Sequence, residues 1–192
     1  MRLFAAVLPP PERLDELGCV VDRLRGSPGG GGVRWTSREG WHLTLAFMGE
    51  VDEALLPGLR VRLERAASRT PVFPLRLRGG GHFGRRTLWA GVAGDLDTLR
   101  LLAERSDAAA RRAGIAREEH RRYRAHLTVG RGQGADVGPF LGVLDGFEGG
   151  RWEVGELVLV RSELPVSGVR GERPRYETVG SWPLGGGGSG AG

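Results

Sequence analysis

A chain of 192 residues, 40% hydrophobic and 27% charged, has room for one sizeable core and the balance of a soluble globular protein. Its formal net charge of +5 comes from arginine, since all 28 basic residues are Arg and none is Lys, which suits a polyanionic partner. The single cysteine, Cys19, excludes an internal disulfide and points to a reducing cytoplasm, and the apolar start MRLFAAV is too short for a membrane span or a signal peptide.

Residues 3–8 read as a short apolar strand that stops at three prolines. Residues 12–25 carry apolar side chains at Leu14, Leu17, Val20, Val21 and Leu24, the period of an amphipathic helix in which Cys19 is expected to be buried. Pro28 and four glycines make a loop, residues 33–36 a short strand and residues 37–40 a turn. A strand over residues 41–48 is followed by a helix over 52–69 with Asp52 as its N-cap. Strands are expected at 72–77 and 86–92, joined by a glycine-rich loop at 79–84, and then a helix at 95–113 capped by Asp95. A strand over 124–130, a helical turn near 140–144 and closing strands at 152–161 and 175–182 complete the domain. Residues 1–184 form one domain on this reading, and the Gly/Ser tail 185–192 stays outside it. Most strands alternate polar with apolar, so one sheet face lies open rather than packed in the core. The class is α+β, with two related lobes facing each other.

Two stretches carry chemistry. WHLTLAFMGE places His42 and Thr44 at positions i and i+2 of a strand, and YRAHLTVGR does the same with His126 and Thr128. Side chains two apart share a face, roughly 7 Å from each other, while Leu43, Leu45, Leu127 and Val129 turn to the core. Each strand thus offers one imidazole and one hydroxyl to a cleft. The chance of Leu-Thr after any given histidine is roughly half a percent at this composition, yet two of the four histidines have it, 84 positions apart. In-line displacement at phosphorus needs one neutral imidazole to take a proton from water and one imidazolium to protonate the departing oxygen. Two hydroxyls are suitable donors to the non-bridging phosphate oxygens. The sequence contains neither an acidic cluster for Mg²⁺ nor the spacing of a zinc site, so no metal or other cofactor is expected.

These motifs, together with MRLFAAVLPP, TLWAGV and LVLVRSEL…RYETVGSWPL, resemble the RNA 2′,3′-cyclic phosphodiesterases, or 2′-5′ RNA ligase-like proteins, of the 2H phosphoesterase superfamily. The resemblance spans residues 1 to about 184. It implies a bilobal α+β fold, two pseudo-symmetric lobes whose antiparallel sheets face a central cleft with helices outside. It also implies that His42 is the proton donor to the 3′ oxygen and His126 the proton acceptor from water, giving a 2′-phosphate. Phe47 stands where members stack a nucleobase, although its odd offset from His42 takes it off the cleft face unless the strand bulges near Ala46. Arg131, after Gly130, is placed to contact phosphate. Ala125 departs from the proline that many members carry there. The implied partners are RNA ends or small cyclic nucleotides, acted on by a cytoplasmic monomer without a membrane. Two alternatives stand beside hydrolysis: the reverse reaction, 2′-5′ RNA ligation, and a non-catalytic nucleotide- or RNA-binding module on the same cleft.

The other histidines, His82 and His120, are expected at the surface, and the arginine-rich run 117–124 as a charged connection or an RNA-backbone contact. Trp35, Trp41 and Trp89 are expected in the core. The glycines at 79–84 lack the lysine and hydroxyl residue of a phosphate loop.

Overall fold

The computed structural model describes residues 1–116, 123–164 and 174–186. Nine strands and four α-helices follow one another as β1 (Arg2–Val7), α1 (Pro11–Gly26), β2 (Val33–Trp35), β3 (Leu43–Glu50), α2 (Leu56–Ser68), β4 (Phe73–Phe83), β5 (Thr87–Gly94), α3 (Leu96–Arg112), β6 (Leu127–Gly132), α4 (Leu141–Asp145), β7 (Trp152–Val154), β8 (Glu156–Glu163) and β9 (Arg175–Pro183) among the described residues. They form two antiparallel sheets, a four-stranded one in the order β3-β1-β8-β9 and a five-stranded one in the order β2-β6-β5-β4-β7. Each histidine motif opens a strand, β3 at the edge of its sheet beside β1 and β6 between β2 and β5 of the other.

Local chemistry explains the helices. Pro11 opens α1, Glu12 sits in its first turn and Arg23 and Arg25 in its last, which suits the helix dipole. Asp95 caps α3 by accepting from the Thr98 N–H at 3.0 Å and the Thr98 hydroxyl at 2.7 Å. Asp52 accepts from the Ala54 N–H at 2.9 Å and caps a 3₁₀ turn that leads into α2. The helices cross between lobes. α3 leaves β5 of the second sheet and packs on β3 of the first, beside α2. α1 leaves β1 of the first sheet and packs against α4, where the Glu16 carboxylate accepts from the Gly150 N–H at 2.8 Å next to β7. One hydrophobic core therefore draws on both sheets, from Leu3 and Leu43 to Leu88 and Leu127. No described helix is long and apolar enough to cross a membrane.

Four expectations need correction. Cys19 is exposed, because on α1 it lies opposite the buried stripe of Leu17, Val20, Val21 and Leu24 at 3.6 residues per turn. The supposed single strand over 152–161 is two strands in different sheets, divided at Gly155. The supposed loop at 79–84 is largely strand, since β4 continues to Phe83 with Gly80 opposite Ala90 and Gly81 opposite Trp89. A Cβ on Gly81 would lie 2.2 Å from the Trp89 ring, and one on Gly80 would lie 2.6 Å from Leu144, so these glycines make room for neighbours. The histidine strands start later than expected, at Leu43 rather than residue 41 and at Leu127 rather than residue 124, so each histidine stands at the strand's mouth. Trp35, Trp41 and Trp89 are buried as expected. His120 and residues 117–122 of the arginine-rich run lie outside the described residues, as do residues 187–192 of the tail.

Candidate active site

Alternation places Leu43 in the core and Thr44 on the other face of β3, opposite Ala6 of β1. The ladder then breaks its period. Ala46 pairs with Ala5, so Leu45 is the extra residue of a β-bulge, and Phe47 comes to lie opposite Phe4. Phe4 and Ala6 share a face of β1, so the bulge returns Phe47 to the side of Thr44. Phe47 is 59% exposed there, while Leu45 and Ala46 are both buried. The second motif repeats this device. Thr128 pairs with Trp89 and Gly130 with Leu88, leaving Val129 as the extra residue and placing Arg131 opposite Thr87. In both motifs the fourth residue of His-Leu-Thr-x is the one squeezed out of register.

The six residues expected from sequence, His42, Thr44, Phe47, His126, Thr128 and Arg131, line a single cleft of about 490 Å³. Residues that sequence reading did not single out complete it, chiefly Phe4, Phe83, Tyr176, Arg2 and Arg34. Phe4 sits in a uniformly apolar strand and Tyr176 on an exposed hairpin strand, so neither carries a signal that separates it from ordinary packing. His82 and Arg85 do not line the cleft. His82, near the end of β4, and Arg85, in the β4–β5 turn, meet each other instead, with His82 Nδ1 accepting from the Arg85 N–H at 3.2 Å, and Arg85 pairs with Asp136 at 2.8 Å.

The two imidazoles are held differently. His42 stacks on Phe4 with ring centroids 4.5 Å apart and meets the edge of Tyr176 at 5.3 Å. His126 has its Nδ1 2.7 Å from the Arg124 carbonyl oxygen and the Phe83 ring edge-on at 4.9 Å. A carbonyl only accepts, so Nδ1 of His126 carries the proton and the lone pair of the neutral ring lies on Nε2. The Arg124 guanidinium in turn lies over Trp89 at 5.1 Å and over Phe83 at 5.5 Å. Burial, and after it the charge of His126, lowers the His42 pKa to about 4. The His126 pKa is also lowered, first by burial. The bond to the Arg124 carbonyl opposes this, and the charges of Arg124 and Arg131 reinforce it. Both rings are therefore neutral at pH 7 in the free cleft.

Two antiparallel sheets that each bring a His-x-Thr strand to one cleft define a 2H phosphoesterase. The model of the 2′-5′ RNA ligase superfamily matches residues 9–165, and the chain belongs to that family. It is similar to an RNA 2′,3′-cyclic phosphodiesterase of Thermotoga maritima, with 33% identity over 135 residues that cover 68% of this chain and 70% of the relative. A protein of the same name from Aeropyrum pernix is 32% identical over 163 residues, 82% of this chain and 90% of the relative. The crystal structure of Escherichia coli LigT in apo form superposes with a TM-score of 0.75 at 26% identity and covers 95% of this chain and 96% of LigT.

Proposed function

We propose that the protein hydrolyses 2′,3′-cyclic phosphate ends of RNA or nucleosides to 2′-phosphates by acid/base catalysis between two histidines, without a metal. The observation that carries the reading is the pair of bulged His-x-Thr strands lining one cleft, with the Nδ1 proton of His126 held by a carbonyl. Water attacks phosphorus in line with the 3′ oxygen, and His126 Nε2 takes its proton as the new P–O bond forms. The P–O3′ bond breaks, and His42 gives its proton to O3′, leaving a 3′-hydroxyl and a 2′-phosphate. The Thr44 and Thr128 hydroxyls donate to the non-bridging oxygens, where charge gathers. His42 is neutral in the free cleft, and the phosphate anion supplies the field that charges it, so substrate binding arms the acid. Phe47, exposed on the same face, is a platform for the nucleobase, and Arg131 contacts phosphate. Both proton carriers come from one chain, so the reading needs no second subunit. The names of the relatives support the substrate class.

The test is hydrolysis of adenosine 2′,3′-cyclic phosphate in EDTA, with the phosphate isomer identified. The expected product is the 2′-phosphate alone. H42A and H126A should each lose about 10²–10⁴-fold in turnover while remaining folded. Near wild-type turnover in either variant, or dependence on added metal, would overturn the mechanism.

A further inference from the structure

The two histidine strands lie in different sheets, yet proton transfer through one phosphate needs their rings at a fixed separation. A short stretch of chain joins the two directly. β2 pairs with β6, with Trp35 opposite Gly130, and the Thr36 N–H donates to the Val129 carbonyl at 2.9 Å. Val129 is the bulged residue of the second motif. The chain then makes a 3₁₀ turn at Arg38–Gly40 and enters the first motif at His42. In that turn the Gly40 N–H donates to the Ser37 carbonyl at 2.9 Å and the Trp41 N–H to the Arg38 carbonyl at 3.0 Å. The Arg38 guanidinium pairs with Asp15 and lies over Gly18 of α1, where a Cβ would come within 2.2 Å of it. The turn is thus fastened to α1 at Arg38.

Its other end is Gly40, which lines the cleft together with Thr36 and Ser37. Gly40 is buried and its φ is not positive, so the backbone there suits any residue. Space is what excludes a side chain. A Cβ on Gly40 would lie 2.8 Å from the Thr36 methyl and 3.1 Å from the edge of the Tyr176 ring. An ordinary carbon contact needs roughly 3.5–4.0 Å. Thr36 is tied to β6 and Tyr176 stands on β9 of the other sheet, so the notch at Gly40 is a point where the two halves close on each other. From this seat Tyr176 meets His42 edge-on at 5.3 Å and Phe4 at 6.1 Å.

We propose that Gly40 and Tyr176 are positioning residues for His42: the bare α-carbon of Gly40 seats the Tyr176 ring, and the ring fixes the imidazole of the proton donor against Phe4. The inference rests on the phosphodiesterase reading, in which His42 must meet the departing O3′ while His126 meets the water. G40A removes no polar group from the cleft. It acts by pressing the tyrosine ring out of its seat by a few tenths of an ångström.

NMR titration of the imidazoles in the free protein tests the positioning without substrate. G40A and Y176A should each raise the His42 pKa from about 4 toward its ordinary value by about half a unit or more, because burial is its largest cause, and should leave His126 nearly unmoved. Y176F keeps the ring and should keep the lowered value. On adenosine 2′,3′-cyclic phosphate, G40A and Y176A should each lower kcat about tenfold with little change in KM, and Y176F should retain most of what Y176A loses. G40A should add nothing further in the Y176A background, since it acts through the ring. Y176A leaves the notch open and answers the question should G40A not fold. An unmoved His42 pKa in Y176A, additive losses in the double variant, or a raised KM at unchanged kcat would overturn the positioning. With a wild type that hydrolyses nothing, a raised His42 pKa in both variants would keep the positioning and reject the phosphodiesterase reading.

Discussion

The depressed pKa of His42 makes a stability prediction that can be read without any substrate. An unfolded chain gives histidine its ordinary value near 6.5, and the folded cleft lowers His42 to about 4. On acidification the unfolded state takes up the proton first, so acid favours unfolding. The contribution of neutral His42 is fully present above about pH 6.5, declines as pH falls through the window down to about 4, and is gone below it. The gap of about 2.5 pH units corresponds to about 3 kcal/mol, an upper value because His42 keeps an edge on the cleft. That is a large share of the roughly 5–15 kcal/mol that holds a typical domain folded. At this size each kcal/mol moves the melting temperature by about 2–4 °C. H42Q removes the titrating ring and keeps polar bulk. Melts of wild type and H42Q at pH 7 and pH 4.5 cancel the carboxylate titrations common to both. The wild type should lose about 2 kcal/mol more than the variant, roughly 4–8 °C of extra fall in melting temperature. Equal losses in the two proteins would refute the claim that the stack of Phe4 and Tyr176 keeps His42 neutral.

Two further substitutions probe the walls of the cleft. R124A removes a cation beside His126, so the His126 pKa should rise toward its ordinary value even though burial, its largest cause, remains. An NMR titration of the imidazole reads this directly, and an unmoved pKa would separate the guanidinium from the histidine. F47A removes a ring that is 59% exposed, so it should cost no more than about 0.5 kcal/mol of stability. It should still raise KM for a nucleobase-bearing substrate by roughly 5- to 100-fold, the range that loss of base stacking spans, and an unchanged KM would assign Phe47 to the surface alone.

The histidine pair was legible in the sequence because its signal is local. Two His-Leu-Thr triplets need only the strand period of two to put ring and hydroxyl on one face. The position of Phe47 was legible only as a condition. Counting by twos from His42 turns it to the core, and nothing in LTLAF announces that Leu45 will be squeezed out of the ladder. The bulge is set by pairing with β1, a strand some forty residues earlier, and only the assembled sheet shows it. The same limit applies to Gly80 and Gly81, read as loop from their low strand propensity. They are strand because Trp89 and Leu144 occupy the space their side chains would fill. Arg34 went unremarked because an alternating strand is expected to expose a polar middle residue. That it faces Arg131 across the ladder is visible only in the assembled sheet.

The two halves of the cleft share a backbone device and diverge in what surrounds it. Equivalent bulges after each threonine bring the fifth residue past each histidine back to the cleft, a phenylalanine in one half and an arginine in the other. The histidines diverge likewise. His126 is tied to a carbonyl, which orients its lone pair and raises its basicity against the effect of burial. His42 is sandwiched by aromatic rings, which orient it and strip water from it while leaving it a poor cation until an anion arrives. Groups of one type whose environments treat their protons differently are suited to opposite halves of one proton-transfer sequence. The symmetry of the fold supplies the pair, and the asymmetry of its lining gives each ring a different environment, which is what the proposed acid and base would need.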